Sequence, residues 1–349
     1  MSMMDLSVQL SEMLIRAGHA GRIESISLLT SGGNNKAWRV DSDGSSFLAK
    51  QYFRHAEDSR DRQNSEFEFA SYAERCAPLH VAKAICIEPV SGISIFKFLL
   101  GQPVRVGEVG KTEVQAAAHF FISLNGSCRF IDAAHLPIAS EACFSIAEHL
   151  NLVRQRIGAL YNSVVLEPVS GSDDAASFIN ELALFWRRLE DRICAASLAE
   201  AISIDLPLPP QDRCLSPSDF GFHNAIRSEA GDISFIDFEY AGWDDPAKMI
   251  GDFFAQLAVP VPAGFFEEFV DSALACFSGQ SVLRRRVELL RPVYQIKWCC
   301  IALNVFLPVN LARRKFANPD LDESAIKQIQ LAKARSLFQS MDVHNYGLH

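Results

Sequence analysis

The sequence predicts an α+β fold in two lobes, a small strand-rich lobe of residues 1–100 and a larger, mostly helical lobe of residues 101–349. Three observations predict it. Short apolar runs separated by Gly-, Asn- and Pro-bearing turns fill the first hundred residues, whereas from Val104 onward apolar residues recur at three- and four-residue steps. One strand-loop-strand segment, residues 214–245, interrupts that helical pattern. With 349 residues, 49% of them apolar, the chain is long enough to bury a large core.

The elements follow in order. Leu6, Leu10 and Leu14 lie on one face of a short amphipathic helix, which starts the chain without the basic and apolar regions of a signal peptide. Residues 23–29, 37–40 and 47–52 read as strands, the first two joined by a turn over Ser31, Gly32, Gly33, Asn34 and Asn35. Residues 61–75 form a helix carrying Phe69, Ala70, Tyr72 and Ala73 near one face; residues 81–87 and 93–99 are two more strands, and the lobe boundary falls near Leu100. Helices then cover residues 114–124 and 145–161, and a Gly/Ser/Asp loop at 170–174 leads to a long helix whose stripe Ile179, Leu182, Trp186, Leu189 and Ile193 is core. The prolines of residues 206–210 break that helix. After the hairpin, residues 249–257, 265–277, 282–306 and 324–338 are helical by period, with Trp298, Cys299 and Cys300 as core.

Composition narrows the function. A net charge of −9 and a pI near 5.5 argue against a nucleic-acid partner, which needs a basic surface. No apolar run is long enough for a membrane span. Nine scattered cysteines, odd in number and without a C-x-x-C pair, fit reduced thiols in a cytoplasm better than a disulfide framework or a zinc site. The oligomeric state is not readable.

The chemistry concentrates in the hairpin. Asp219 lies in its loop, Asn224 opens the outgoing strand begun by Ala225 and Ile226, and Asp237 ends the returning strand of residues 233–238, after a turn at 229–232. Side chains at the start of one strand and the end of its partner can converge at one edge. Two carboxylates and an amide there suit phosphoryl transfer, in which oxygen ligands hold Mg²⁺ and a carboxylate accepts the attacking hydroxyl's proton.

Asp219-x4-Asn224, with Asp237 thirteen residues later inside Ile236-Asp237-Phe238-Glu239-Tyr240-Ala241-Gly242-Trp243, resembles the aminoglycoside phosphotransferase and choline/ethanolamine kinase family. That family's fold is similar to protein kinases. The resemblance implies an ATP- and Mg²⁺-dependent enzyme with Asp219 as catalytic base and Asn224 and Asp237 as magnesium ligands. It implies further that Gly32, Gly33, Asn34 and Asn35 cover the nucleotide phosphates, that Lys50 meets the α- and β-phosphates, and that Glu66 holds Lys50, with Glu68 as the alternative. Phe96 and Phe98 would line the adenine site along the linker. The chain departs from the pattern at Pro217, where the family usually carries a histidine; His223, directly before Asn224, is a different residue and reads as a loop side chain that caps or packs. Met249 stands where choline-kinase relatives have an Asp, a role Asp252 is close enough to take in anchoring the catalytic loop.

The acceptor is expected to be a small-molecule hydroxyl, on an amino alcohol, a sugar or an aminoglycoside-like compound. Tyr240, Trp243 and Asp244 are the candidate acceptor residues, their aromatic faces and carboxylate suiting a cation; the other reading makes them packing residues and a solvated rim. The alternative from another class is a kinase-shaped nucleotide-binding module with little or no catalysis, motivated by Pro217 and the loop that follows it. A protein kinase acting on polypeptides fits less well, because the G-x-G-x-x-G, D-F-G and A-P-E motifs are missing.

Overall fold

The computed structural model describes residues 3–29, 35–53, 60–126, 129–166, 173–317 and 320–341. Its contacts divide the chain into two compact units, one of Met1–Ser140 with Leu215–Trp243 and one of Glu141–Cys214 with Asp244–His349.

The first unit is built on a five-stranded antiparallel sheet. Helix α1 (Met3–Arg16) precedes strands β1 (Ile23–Leu29), β2 (Lys36–Ser42) and β3 (Ser45–Gln51); helix α2 (Arg62–Cys76) then precedes β4 (Ala84–Glu88) and β5 (Ile93–Lys97), in spatial order β1-β2-β3-β5-β4. The strict alternation of side chains along a strand decides what each face does. Trp38 and Val40 of β2, Phe47 and Ala49 of β3, and Ile93 and Ile95 of β5 pack with Leu6, Leu10, Met13 and Leu14 of α1 into one buried cluster. Burying each of the Val, Leu, Ile, Phe and Met side chains among them contributes roughly 1.5–3 kcal/mol. Their neighbours in sequence, Ala37, Leu48, Lys50 and Phe96, must therefore face the other way, and they line a pocket.

Helix α2 starts at Asp61, whose carboxylate accepts the Asn64 N–H at 3.1 Å. Its buried face carries Glu66, Phe69, Ala70 and Ala73, the i, i+3, i+4, i+7 spacing of one helical stripe. Glu66 is thus the polar member of an apolar face. The strand β6 (Gln102–Pro103) and helices α3 (Lys111–Leu124) and α4 (Arg129–Asp132) follow.

The unit is completed by the segment that begins in β7 (Cys214–Ser216), runs through the hairpin β8 (Ala225–Arg227) and β9 (Ile233–Phe235), and ends in β10 (Gly242–Asp244). Strands β8 and β9 pair antiparallel with Ala225 opposite Phe235, and β6 pairs with the other edge of β8. Phenylalanines anchor the hairpin: Phe235 stacks on Phe120 of α3 at 5.0 Å and meets Phe220 at 4.9 Å, while Phe238 meets Phe69 of α2 at 5.2 Å. Asn125, fully buried, clamps the approach by accepting the Leu215 N–H at 2.8 Å and donating to the Leu215 carbonyl at 3.0 Å.

The returning strand is shorter than the sequence predicts. It stops at Phe235, Ile236 donates its N–H to the Asn224 carbonyl at 2.9 Å, and Asp237 takes a left-handed conformation with φ of +68°. Aspartate tolerates that region better than most residues. The bend turns the Asp237 carboxylate out of the strand's alternation.

The second unit is helical, with α5 (Ile146–Leu160), α6 (Asp173–Ala199), α7 (Pro246–Ala255), α8 (Phe266–Leu274), α9 (Gln280–Leu303), α10 (Pro308–Ala317) and α11 (Glu323–Gln339). Ser145 and Glu148 close a capping box on α5, and the stripe predicted as core on α6 is buried throughout. Helix α9 packs against α5, α7 and α11 and carries cations into a buried polar core. Asp245 caps α7 through the Ala247 N–H at 2.7 Å and accepts from Arg286 at 2.6 Å, with His149 at 3.1 Å; Asp252 accepts from Lys297 at 2.9 Å and from the Trp298 indole at 2.8 Å. Cys143, Cys214, Cys299 and Cys300 are buried thiols, and burial pushes that of Cys143 up to about 12. Among the described residues no helix is long and apolar enough to cross a membrane.

Candidate active site

The pocket on the outer face of the sheet has a volume of about 200 Å³ and gathers residues that are far apart in sequence. Leu29, Ala37, Leu48, Ala82 and Phe96 form apolar walls; Asn35, Lys50, Glu66, Asp237 and Glu239 form the polar side. Lys50 Nζ is the hub. It donates to Glu66 Oε2 at 2.6 Å and to Asp237 Oδ1 at 2.5 Å, joining the third strand, the second helix and the hairpin in one ion-paired network. Of the two candidate glutamates, Glu66 and Glu68, Glu66 is the one that reaches it; Glu68 lies 3.4 Å from His135 instead.

Burial opposes charge on Lys50, but the surrounding carboxylates of Glu66, Asp237 and Glu239 outweigh it and hold the ammonium protonated well above its ordinary range. Burial likewise pushes the Glu66 carboxyl up, with Lys50 pulling it the other way. Glu66 has a second donor that sequence reading missed, the Tyr52 hydroxyl at 2.7 Å. The signal was present: Tyr52 lies two residues after Lys50 and so shares its side of the strand. Glu239 was missed too as a site residue. It is buried, accepts from the Asn35 amide at 2.7 Å, and offers a carboxylate oxygen that lies, with those of Glu66 and Asp237, within 4.8 Å of one another. Its two-residue offset from Asp237 was the available clue.

Asp219 sits on the loop between β7 and β8, just after Ser218, whose φ is +65°. The Ser218 N–H donates to Ser216 Oγ at 3.0 Å, and the rings of Phe220 and Phe222 are buried, so the loop is anchored on either side of Asp219 in sequence. Asn224 donates its amide to the Asp219 carbonyl at 3.1 Å and to Asp219 Oδ2 at 3.4 Å. The Ile236–Asn224 bond sets Asn224 and Asp237 on adjacent chain segments at the open end of the hairpin. Asp219 and Asp237 are each partly open to solvent, with side chains 39% and 40% exposed.

Of the residues expected over the nucleotide, Gly32, Gly33 and Asn34 lie outside the described residues, whereas Asn35 accepts the Phe53 N–H at 3.2 Å as well as bonding Glu239. Phe96 lines the pocket; the ring of Phe98 lies instead under the Arg39 guanidinium at 5.1 Å. Of the residues expected to meet the acceptor, both aromatic rings already have partners. Arg60 and Arg62 each stand 5.3 Å from the Tyr240 ring centroid, and Trp243 stacks on Phe130 at 5.6 Å while donating its indole N–H to the Ala133 carbonyl. Asp244 is fully buried, its carboxylate bound by Lys248 at 2.7 Å.

Chemically, the network presents oxygen ligands, a fixed cation and a partly open carboxylate around one apolar pocket. Comparisons with known proteins agree in kind. Residues 25–286 match the model of the phosphotransferase enzyme family. Among curated sequences no relative matches. Solved structures share the fold: a choline/ethanolamine kinase family protein from Mesorhizobium loti (17% identity, 99% of this chain and 97% of that one covered, TM-score 0.59), a spectinomycin phosphotransferase in complex with ADP and spectinomycin (14%, 95% and 98%, 0.60) and an ethanolamine kinase from Plasmodium vivax (13%, 96% and 91%, 0.54). The fold is protein-kinase-like, with an antiparallel-sheet N-lobe and a mostly helical C-lobe. With the family model matching well over half of its length, the chain belongs to the phosphotransferase enzyme family.

Proposed function

We propose that this protein is an ATP- and Mg²⁺-dependent kinase that moves the γ-phosphoryl group to a hydroxyl of a small molecule, in the cytoplasm. The observation that carries the reading is the Lys50–Glu66–Asp237 network, which ties a cation and two carboxylates into one pocket whose residue Ile236 is hydrogen-bonded to Asn224. In the reaction, the acceptor oxygen forms its bond to the γ-phosphorus as the bond to the β,γ-bridging oxygen breaks, ADP leaves, and the acceptor's proton passes to the Asp219 carboxylate. Lys50 balances charge on the α- and β-phosphates, and Glu66 and Tyr52 hold it in reach. The apolar walls Leu48, Ala82 and Phe96 suit an adenine ring.

The residues fit a divalent cation. Asp237 gives one oxygen to Lys50 and keeps the other, Asn224 has an amide oxygen, and all are hard donors of the kind Mg²⁺ takes. When bound there, the cation would neutralise charge on the transferring phosphates. In this reading Asn35 and the residues before it cover the phosphates, and the nucleotide lobe ends near Leu100.

Acceptor-dependent ADP release across amino alcohols, sugars and aminoglycosides is the test. Asp219→Asn should lower turnover by about 10²–10⁴-fold with nucleotide binding retained. Full turnover in that variant would remove the base assignment. A nucleotide-binding module without catalysis would instead bind ATP and release no ADP with any acceptor.

A further inference from the structure

His223, read from the sequence as a packing residue, contacts the proposed base. Its Nε2 lies 3.2 Å from Asp219 Oδ1, while its Nδ1 is buried without a hydrogen-bond partner among the described residues. A neutral imidazole carries one proton, and the two nitrogens are not equivalent here. A proton on Nδ1 would bury an unsatisfied donor and turn a bare lone pair on Nε2 toward a carboxylate oxygen. A proton on Nε2 makes a hydrogen bond to that oxygen, so one nitrogen is satisfied instead of neither. The environment selects the second tautomer.

The consequence is geometric. The Asp219 carboxylate is contacted by His223 at Oδ1 and by Asn224 at Oδ2, so its orientation is restrained at both oxygens. His223 is held in turn by its neighbours: Phe222 is fully buried, and the Asn224 N–H donates to the Gly221 carbonyl at 3.1 Å. Two residues before Asp219 the chain has Pro217, which offers no side-chain donor of its own.

We propose that His223 is a positioning residue for phosphoryl transfer, its Nε2–H fixing the Asp219 carboxylate toward the acceptor hydroxyl. The inference rests on Asp219 being the proton acceptor, so two measurements are needed. In the first, long-range ¹H–¹⁵N spectra of the full-length protein at pH 8 report the tautomer of each histidine. His223 is expected as Nε2–H, with its signals shifted by Asp219→Asn; an Nδ1–H tautomer, or no response to Asp219→Asn, overturns the proposal.

In the second, steady-state kinetics use ATP, Mg²⁺ and whichever panel acceptor is turned over. His223→Phe is expected to lower kcat by about 10–100-fold with KM for ATP within twofold, and His223→Gln, whose amide N–H can reach the same oxygen, to regain most of the loss. Equal kcat in wild type and His223→Phe overturns the proposal, as does a loss that His223→Gln does not relieve. Absence of ADP release with every acceptor and with water would remove the kinase reading and this role together, even with a responding imidazole.

Discussion

Replacing Lys50 by Met keeps most of the side-chain volume and removes the charge at the hub of the site. Lys50 donates at 2.6 Å to Glu66, which is only 5% exposed, and at 2.5 Å to Asp237, whose side chain is 40% exposed. Asp237 can turn to solvent; Glu66 cannot, and among the described residues it keeps the Tyr52 hydroxyl as its donor. Removing one partner of a buried ion pair costs about 3–5 kcal/mol. The exposed side of the network discounts this, so about 3 kcal/mol is expected at pH 8.

The carboxyl can escape by taking a proton, and each pH unit downward eases that by about 1.4 kcal/mol. In the variant the folded-state pKa of Glu66 lies above its unfolded value, because burial raises it and the opposing cation is gone. Its stability is therefore greatest at low pH and falls as pH rises through the folded value. Urea unfolding of wild type and Lys50→Met, followed by tryptophan fluorescence at pH 8 and pH 6, should show the deficit shrink by more than 1 kcal/mol at the lower pH. Adding Glu66→Gln should recover most of it. A deficit below about 0.5 kcal/mol, or one independent of pH, would refute the account of Glu66 as a buried carboxylate balanced by Lys50.

Three further outcomes follow from other parts of the molecule. Phe220→Ala, which empties a buried position against Phe120 and Phe235, should cost about 3–5 kcal/mol and loosen the Asp219 loop; an unchanged urea midpoint would show that the phenylalanines do not hold it. Gly101→Ala puts a Cβ against the Arg227 carbonyl at a φ of +154°, so about 1–3 kcal/mol should be lost, and wild-type stability would rule out the close approach of β6 and β8. Asp41 accepts from Ser46, Ser25 and Arg39, which hold its carboxyl down at about 2. Its stabilising contribution is present above pH 4 and lost as pH falls through that value; a carboxyl ¹³C titration should give a midpoint near 2 that rises in Ser46→Ala, and a midpoint at the ordinary 3.8 would sink the assignment.

How much could be read in advance depends on the range of the interactions involved. Alternation along FLAKQYF already put Lys50 and Tyr52 on the side opposite Phe47 and Ala49, and the helical stripe through Phe69, Ala70 and Ala73 already contained Glu66 rather than Glu68. The spacing of Asp219, Asn224 and Asp237 carried the family, because one hairpin brings those residues together with no help from distant chain. The helices of the second unit were legible for the same reason, period and caps being local.

Long-range effects were not legible. The expected strand through Phe238 ends at Phe235, because Asp237 bends into a left-handed conformation that only its partner Lys50, from another strand, makes useful. Asp252 is bound by Lys297 and Trp298 from a helix more than forty residues on, and Tyr240 faces Arg60 and Arg62 from about 180 residues earlier, none of which a local pattern could pair. His223 looked like packing because its partner is chosen by the loop's fold. By itself the sequence determined which residue types face which side of each element, since backbone geometry imposes those periods everywhere. Only the tertiary structure decided which charges meet, because a buried ion pair forms where folding removes water from two groups at once.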